Sequence, residues 1–130
     1  MGLDHGKHNK IVCDKLNLLT DVNCNDWIVT TAFYSAVHFF DHLLFDFKLS
    51  DEVTFKNLDE AHKHFRSQSK HETRGILISR KHSNLYLSYY FLQNECFYAR
   101  YKNYEVHEKI AALAISKLET IIPHCESKKI

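Results

Sequence analysis

Glycine and proline are almost missing from this chain: three glycines and one proline in 130 residues. An all-β protein of this length needs far more turn punctuation, so the scarcity favours long helices. Net charge is also missing. Lysine plus arginine number 17 against 16 acids, a formal +1. That excludes a protein that coats nucleic acid through bulk charge and confines any phosphate contact to a local patch. No apolar run is long enough to span a bilayer, and no signal-peptide pattern opens the chain. The four cysteines, Cys13, Cys24, Cys96 and Cys125, show no C-x-x-C pair and no zinc-like spacing. They read as reduced thiols of a cytoplasmic protein without a metal or other cofactor.

What remains is 45% hydrophobic and 13% aromatic, the make-up of one folded domain over residues 1–130. Ten histidines are the one excess. Hydrophobic periodicity predicts a first helix over about Lys7 to Leu19, with Val12, Leu16 and Leu19 inward. Capping residues around Asn25 and Asp26 announce a second helix to Phe45 that is apolar nearly all round, so it is expected at the centre. Thr31, Tyr34, Ser35, His38 and His42 share one of its faces, a polar seam that must face a cleft, water or another polar helix. Residues 48–70 read as a polar, mobile excursion holding at most a short helix over Leu58 to Phe65. A third stretch runs from Glu72 to Arg80, interrupted by Gly75. Leu85, Tyr89, Leu92, Cys96 and Ala99 then mark the core stripe of a fourth helix. The last is expected from Glu105 to Ile122, with Val106, Ile110, Leu113, Leu118 and Ile121 inward and Pro123 as its stop. The sum is an all-α, up-and-down bundle of about five helices.

Other constellations have two readings each. His38 and His42 stand at the i, i+4 spacing of helical zinc sites, but without a third ligand a hydrogen-bonded, buried His38 is the better expectation. His62 and His64 read as solvated. Tyr86, Tyr89, Tyr90, Phe91, Phe97, Tyr98, Tyr101 and Tyr104 make an aromatic-dense stretch flanked by Arg80, Lys81, Arg100 and Lys102. Base stacking beside phosphate-binding charge is one use for it. Packing is the other, and is expected to claim at least Tyr89 and Phe97.

Three patterns occur in order: Asp26 to His38, with an aromatic pair followed by a histidine one turn later; His71-Glu72-Thr73-Arg74; and Tyr89-x-x-Leu92-x-x-x-Cys96-x-x-Ala99-Arg100-Tyr101. Together they resemble the HEPN-like helical domains (higher eukaryotes and prokaryotes nucleotide-binding), and within them the Ala-Arg-Tyr subgroup. The resemblance implies a helical bundle, often a homodimer, of the kind found in toxin–antitoxin pairs, defence systems and partners of nucleotidyltransferases. It implies a module that binds RNA, a nucleotide or a partner protein without its own catalysis, at Tyr34, His38, His71, Arg74, Arg100 and Tyr101. Some members are metal-independent endoribonucleases that carry an arginine followed after four to six residues by a histidine. Arg100 and His107 fit that spacing, with histidine as base toward a ribose 2′-hydroxyl and guanidinium beside the phosphorane. Tyr101 departs from the polar residue that usually follows the arginine, and Arg66 to His71, with four residues between, also falls within the range. Arg100 can equally cap its helix or pair with Glu95 or Glu105. A third reading is a purely structural or antitoxin-like interaction protein.

Overall fold

In the computed structural model, which describes residues 2–128, six helices and one short hairpin follow each other: α1 (Gly2–Asn17), α2 (Asn25–Leu44), β1 (Phe47–Lys48), β2 (Thr54–Phe55), α3 (Leu58–Phe65), α4 (Lys70–Lys81), α5 (Ser83–Tyr101) and α6 (Glu108–Glu126). The chain is all-α apart from that hairpin, with one helix more than the expected five. Helix α2 is the axis of the bundle, packing against α1, α5 and α6. Its buried residues Ile28, Thr30, Ser35, Val37 and Phe40 spread over more than half of the helix circumference, as a centrally placed helix requires. The stripe of α5 lies in the core as its spacing predicts: Leu85, Tyr89, Leu92, Cys96 and Ala99 are all buried.

Several boundaries and faces differ from expectation for physical reasons. Helix α1 begins five residues earlier and ends before Leu19, which is half-exposed beyond its end. Its deepest side chain is Cys13, and Gly6 rather than a larger residue meets α2, because a Cβ there would lie 2.8 Å from the Phe39 ring. Gly75 does not interrupt α4. It is buried against the rings of Tyr86 and Tyr89, and that packing carries α4 through it without a break. Pro123 does not stop α6, which continues to Glu126. Proline removes one backbone bond there, but buried Ile121 and Cys125 hold the last turn on the core. The Lys128 ammonium beyond it donates to the carbonyls of His42 and Phe45 at the end of α2. In the same helix Leu113, expected inward, is exposed, while Ala111 and Ala114 take the close contact with the core.

The stretch 48–70 is folded. Phe47 pairs with Phe55 across the hairpin, and Phe55, Leu58 and Ala61 are buried. The Phe65 ring meets Phe55 edge-on at 5.9 Å. Helix α3 occupies the range expected of the short helix, opened by Asn57 accepting from the Glu60 amide and closed by Arg66 in the left-handed region at φ 55°. Polar composition hid an apolar set whose spacing from Leu58 onward is helical. His62 is not solvated. Its Nδ1 lies 2.7 Å from Thr73 Oγ1, which also meets Ser67 Oγ at 2.7 Å, stitching α3 to α4. His64 is exposed as expected.

Candidate functional site: a cleft between three helices

The cleft is built where α2, the first turn of α4 and the second half of α5 converge. Ser69 caps α4 by accepting from the Glu72 amide at 3.1 Å, which fixes where the first turn starts and which side chains it presents. From that turn and the residue before it come Gln68, Ser69, His71 and Glu72; α2 supplies Phe33 and Tyr34. Along α5, Gln93, Phe97 and Arg100 follow each other at the three-to-four spacing of a single face, with Asn94 and Tyr101 alongside. These residues enclose about 490 Å³. A shallower hollow of about 380 Å³ lies beside it, between α1 and α2, lined by His5, Asn9, Trp27, Thr30, Thr31 and His38. Tyr34 and Arg100 border both.

Under the cleft lies a buried polar network. Arg74 is almost wholly buried and forks onto Asp41 of α2, with Nε donating to Oδ1 at 2.8 Å and Nη2 to Oδ2 at 3.2 Å. Nη1 donates to His71 Nδ1 at 3.0 Å and, weakly, to the Tyr89 hydroxyl at 3.4 Å, which itself donates to the His71 carbonyl at 2.8 Å. Burial works against the Arg74 charge, but the Asp41 carboxylate outweighs it and holds the guanidinium above its ordinary pKa. Tyr89 is pushed up to about 12 by burial, so its phenol stays protonated.

That network fixes the state of His71. Arginine has donors only, so Nδ1 must present its lone pair, and the proton of the neutral imidazole sits on Nε2. Burial lowers the His71 pKa, the neighbouring Arg74 charge lowers it further, and Asp41 opposes them in part. His71 therefore enters the cleft neutral near pH 7, with a fixed N–H to offer.

Two members of the polar seam of α2 are consumed locally: Thr31 donates to the Trp27 carbonyl one turn back in its own helix, and Ser35 donates to the Gly6 carbonyl of α1 at 2.7 Å. His38 is half-buried rather than buried. Among the described residues it has, instead of the expected hydrogen bond, a stacked partner, His5, at 3.8 Å between ring centres. Burial lowers its pKa, with His5 adding to the effect. Among the described residues no group of three or more histidine, cysteine or acidic side chains is placed to hold a metal ion.

Of the six binding residues expected from the sequence, Tyr34, His71, Arg100 and Tyr101 line the main cleft, and His38 lines the adjoining hollow. Arg74 lines neither; it supports His71 from beneath. Arg100 forms no ion pair among the described residues, with Glu95 or Glu105 or any other acid. Its guanidinium carbon lies 5.5 Å from the centre of the Trp27 ring, a cation–π distance. His107 sits elsewhere. Its Nδ1 accepts from the Lys109 amide at 3.0 Å as the cap of α6, and it lines a small separate hollow that shares no residue with the Arg100 cleft. Within one chain the spacing from Arg100 to His107 does not make a common site.

Phe97, expected in core or dimer packing, is more than half exposed in the single chain and packs on Tyr101 at 5.1 Å. Trp27, Glu72, Gln93, Asn94 and Asp41 were not legible as site or support residues. Asp41 alone carried a signal, because a carboxylate on an otherwise apolar helix requires a partner. Comparison with family models, with curated proteins and with solved structures finds no match.

Proposed function

We propose that this chain is a nucleotide- or single-stranded-RNA-binding module of HEPN-like type, acting through the cleft at α2, α4 and α5 without catalysis of its own. The observation that carries the reading is Arg100. Its guanidinium forms no ion pair among the described residues and stands at the junction of two hollows, among the rings of Trp27, Tyr34, Phe97 and Tyr101. A cation among exposed aromatic faces suits a ligand that is part π-system and part phosphate, since bases stack on rings and phosphate pairs with guanidinium. His71 adds a fixed N–H donor. A near-neutral chain is consistent with one such local contact. The HEPN-like reading gains support because its three sequence patterns converge on this one region: Phe33-Tyr34 and His38 on α2, His71 on α4, and Arg100-Tyr101 on α5. With that reading come a homodimer and an antitoxin or nucleotidyltransferase as partner, also as proposals.

The alternative is a metal-independent endoribonuclease, for which a second chain would have to bring an Arg100 and a His107 together, since one chain does not. Fluorescence anisotropy with a labelled mixed-sequence oligoribonucleotide tests both. Arg100→Ala is expected to weaken binding about tenfold and to lower the salt slope by about 0.7. His107→Ala should leave binding unchanged while costing about 1 kcal/mol of stability through the lost cap. Binding that ignores Arg100→Ala refutes the module. RNA cleavage in EDTA, abolished by both substitutions, replaces it with the nuclease.

A further inference from the structure

The two ends of the cleft differ in chemistry. Tyr89 bonds the His71 carbonyl, and Gly75 packs on Tyr86 and Tyr89, so the first turns of α4 run beside the first half of α5. Glu72 therefore faces the Gln93 end of the cleft. Arg100 lies seven residues further along α5 on the same face, about 10 Å away at the helical rise. One end thus holds a carboxylate beside carboxamides and the other a guanidinium, at a separation comparable with one nucleotide.

Glu72, an exposed residue, leaves unmade a contact that its position offers. Three residues after a serine cap, a glutamate ordinarily reaches back to a backbone amide and closes a capping box. The equivalent residue of α3 does reach back: Glu60 Oε1 accepts from the Lys56 amide at 2.8 Å, while the Glu60 amide donates to Asn57. At α4 only half of the pattern forms. Ser69 accepts from the Glu72 amide, but the Glu72 carboxylate makes no hydrogen bond or ion pair among the described residues and lines the cleft instead.

An ionised carboxylate only accepts. On the Watson–Crick edge, guanine alone among the four bases offers two adjacent donors, N1–H and the 2-amino group. Adenine and cytosine set a ring-nitrogen lone pair beside their amino group, and uracil sets carbonyls on both sides of its single N–H. Next to Glu72 those lone pairs repel.

We infer that the cleft selects guanine nucleotides, the Watson–Crick edge meeting the Glu72 carboxylate while the 5′-phosphate meets Arg100; this rests on the nucleotide-binding reading above. Gln93 and Asn94 are within the same wall and supply amide donors suited to the O6 and N7 acceptors of guanine. The Phe97 ring, between the two ends along α5, with the Tyr101 ring packed on it, is the stacking surface.

The chain has a single tryptophan, Trp27, and it lies against Arg100, so its fluorescence reports on occupancy of the phosphate end. Wild type, Glu72→Gln and Arg100→Ala are titrated with guanosine, inosine and adenosine 5′-monophosphates, by Trp27 fluorescence and by calorimetry in parallel. Expected is an affinity for the guanosine nucleotide about tenfold above the adenosine nucleotide. Inosine, which keeps N1–H but lacks the 2-amino group, should fall between them. Glu72→Gln keeps the Ser69 cap, so it should melt close to wild type and bind all three nucleotides with the preference erased. Equal binding in the wild type, preference for adenosine, or a guanosine preference that survives Glu72→Gln overturns the inference. If nucleotides bind equally and Arg100→Ala abolishes binding, the nucleotide-binding reading stands and only the guanine selectivity falls. If no nucleotide binds to any form, the inference falls, and the oligoribonucleotide titration decides whether an RNA-binding module remains.

Discussion

Asp41→Ala tests the network beneath the cleft most severely. The Arg74 side chain is 5% exposed and the Asp41 side chain 32%. Removing the carboxylate leaves a buried guanidinium without its counter-charge, and two charge-assisted bonds are lost together. Breaking a buried pair in this way costs about 3 to 5 kcal/mol. Asp41 is a third exposed, so water can enter where it stood, and the lower figure of about 3 kcal/mol applies. For 130 residues the unfolding entropy is about 0.27 kcal/mol per kelvin, so the melting temperature should fall by about 11 °C. Arg74→Met removes the cation instead. The carboxylate can then hydrate, and His71 is free to take a proton on Nδ1, so the loss should be nearer 2 kcal/mol. Because the two residues serve each other, the double variant should be more stable than the sum of the single losses predicts, by at least about 1 kcal/mol. Calorimetric melting at pH 7.5 measures all four corners of the cycle. A fall of less than 3 °C for Asp41→Ala, or strict additivity, would refute the claim that the pair holds α2 and α4 together.

The remaining predictions concern close packing and acid. Gly75→Ala places its Cβ 3.4 Å from Tyr86 and 3.5 Å from Tyr89, ordinary contact distances, so the gain in helix propensity should raise stability by about 0.5–1 kcal/mol. Gly6→Ala, with Phe39 atoms at 2.8 Å and 3.0 Å, should instead destabilise by about 1–2 kcal/mol despite the same propensity gain; urea unfolding of both variants decides. His38, His71 and His82 all have lowered pKa values, chiefly through burial. The unfolded chain therefore takes up protons first as pH falls below about 6.5, and the stability present above that value is lost on acidification. The urea midpoint should fall between pH 7 and pH 5.5. The fall should be shallower in His71→Asn, whose amide oxygen can still accept from Arg74 but does not titrate. A midpoint that is flat in the wild type contradicts the assignment of neutral imidazoles.

Where periodicity was strong the sequence was readable. The stripe from Leu85 to Ala99 and the apolar surround of α2 depend on side-chain spacing alone, and both packed as that spacing requires. Local rules about single residues did worse, because tertiary packing overrode them. Gly75 and Pro123 signal breaks in isolation, yet one lies inside a helix packed on Tyr86 and Tyr89 and the other rides in a turn held by Ile121 and Cys125. Leu19 and Leu113 were placed inward by hydrophobicity; the first lies beyond the end of α1, and at the second Ala111 and Ala114 took the contact instead. In the site, four of the six expected residues converged on one cleft. Arg74 did not, and nothing in its neighbourhood of the chain names Asp41, which is 33 positions away. His107 was a spacing match whose imidazole caps a helix. Glu72 stayed hidden because a glutamate after a serine cap has a structural use that only geometry can exclude.

The buried thiols have a practical consequence. Cys13, Cys96 and Cys125 sit in α1, α5 and α6, all fully or nearly fully enclosed, and burial raises the pKa of each, that of Cys125 to about 12. An alkylating reagent needs both contact and thiolate, so none of the three reacts while its helix stays docked. Each helix thus carries its own built-in clock. Mass-resolved alkylation rates at the three positions separate a chain that opens all at once from one that sheds α1 or α6 while the α2–α5 centre stays closed.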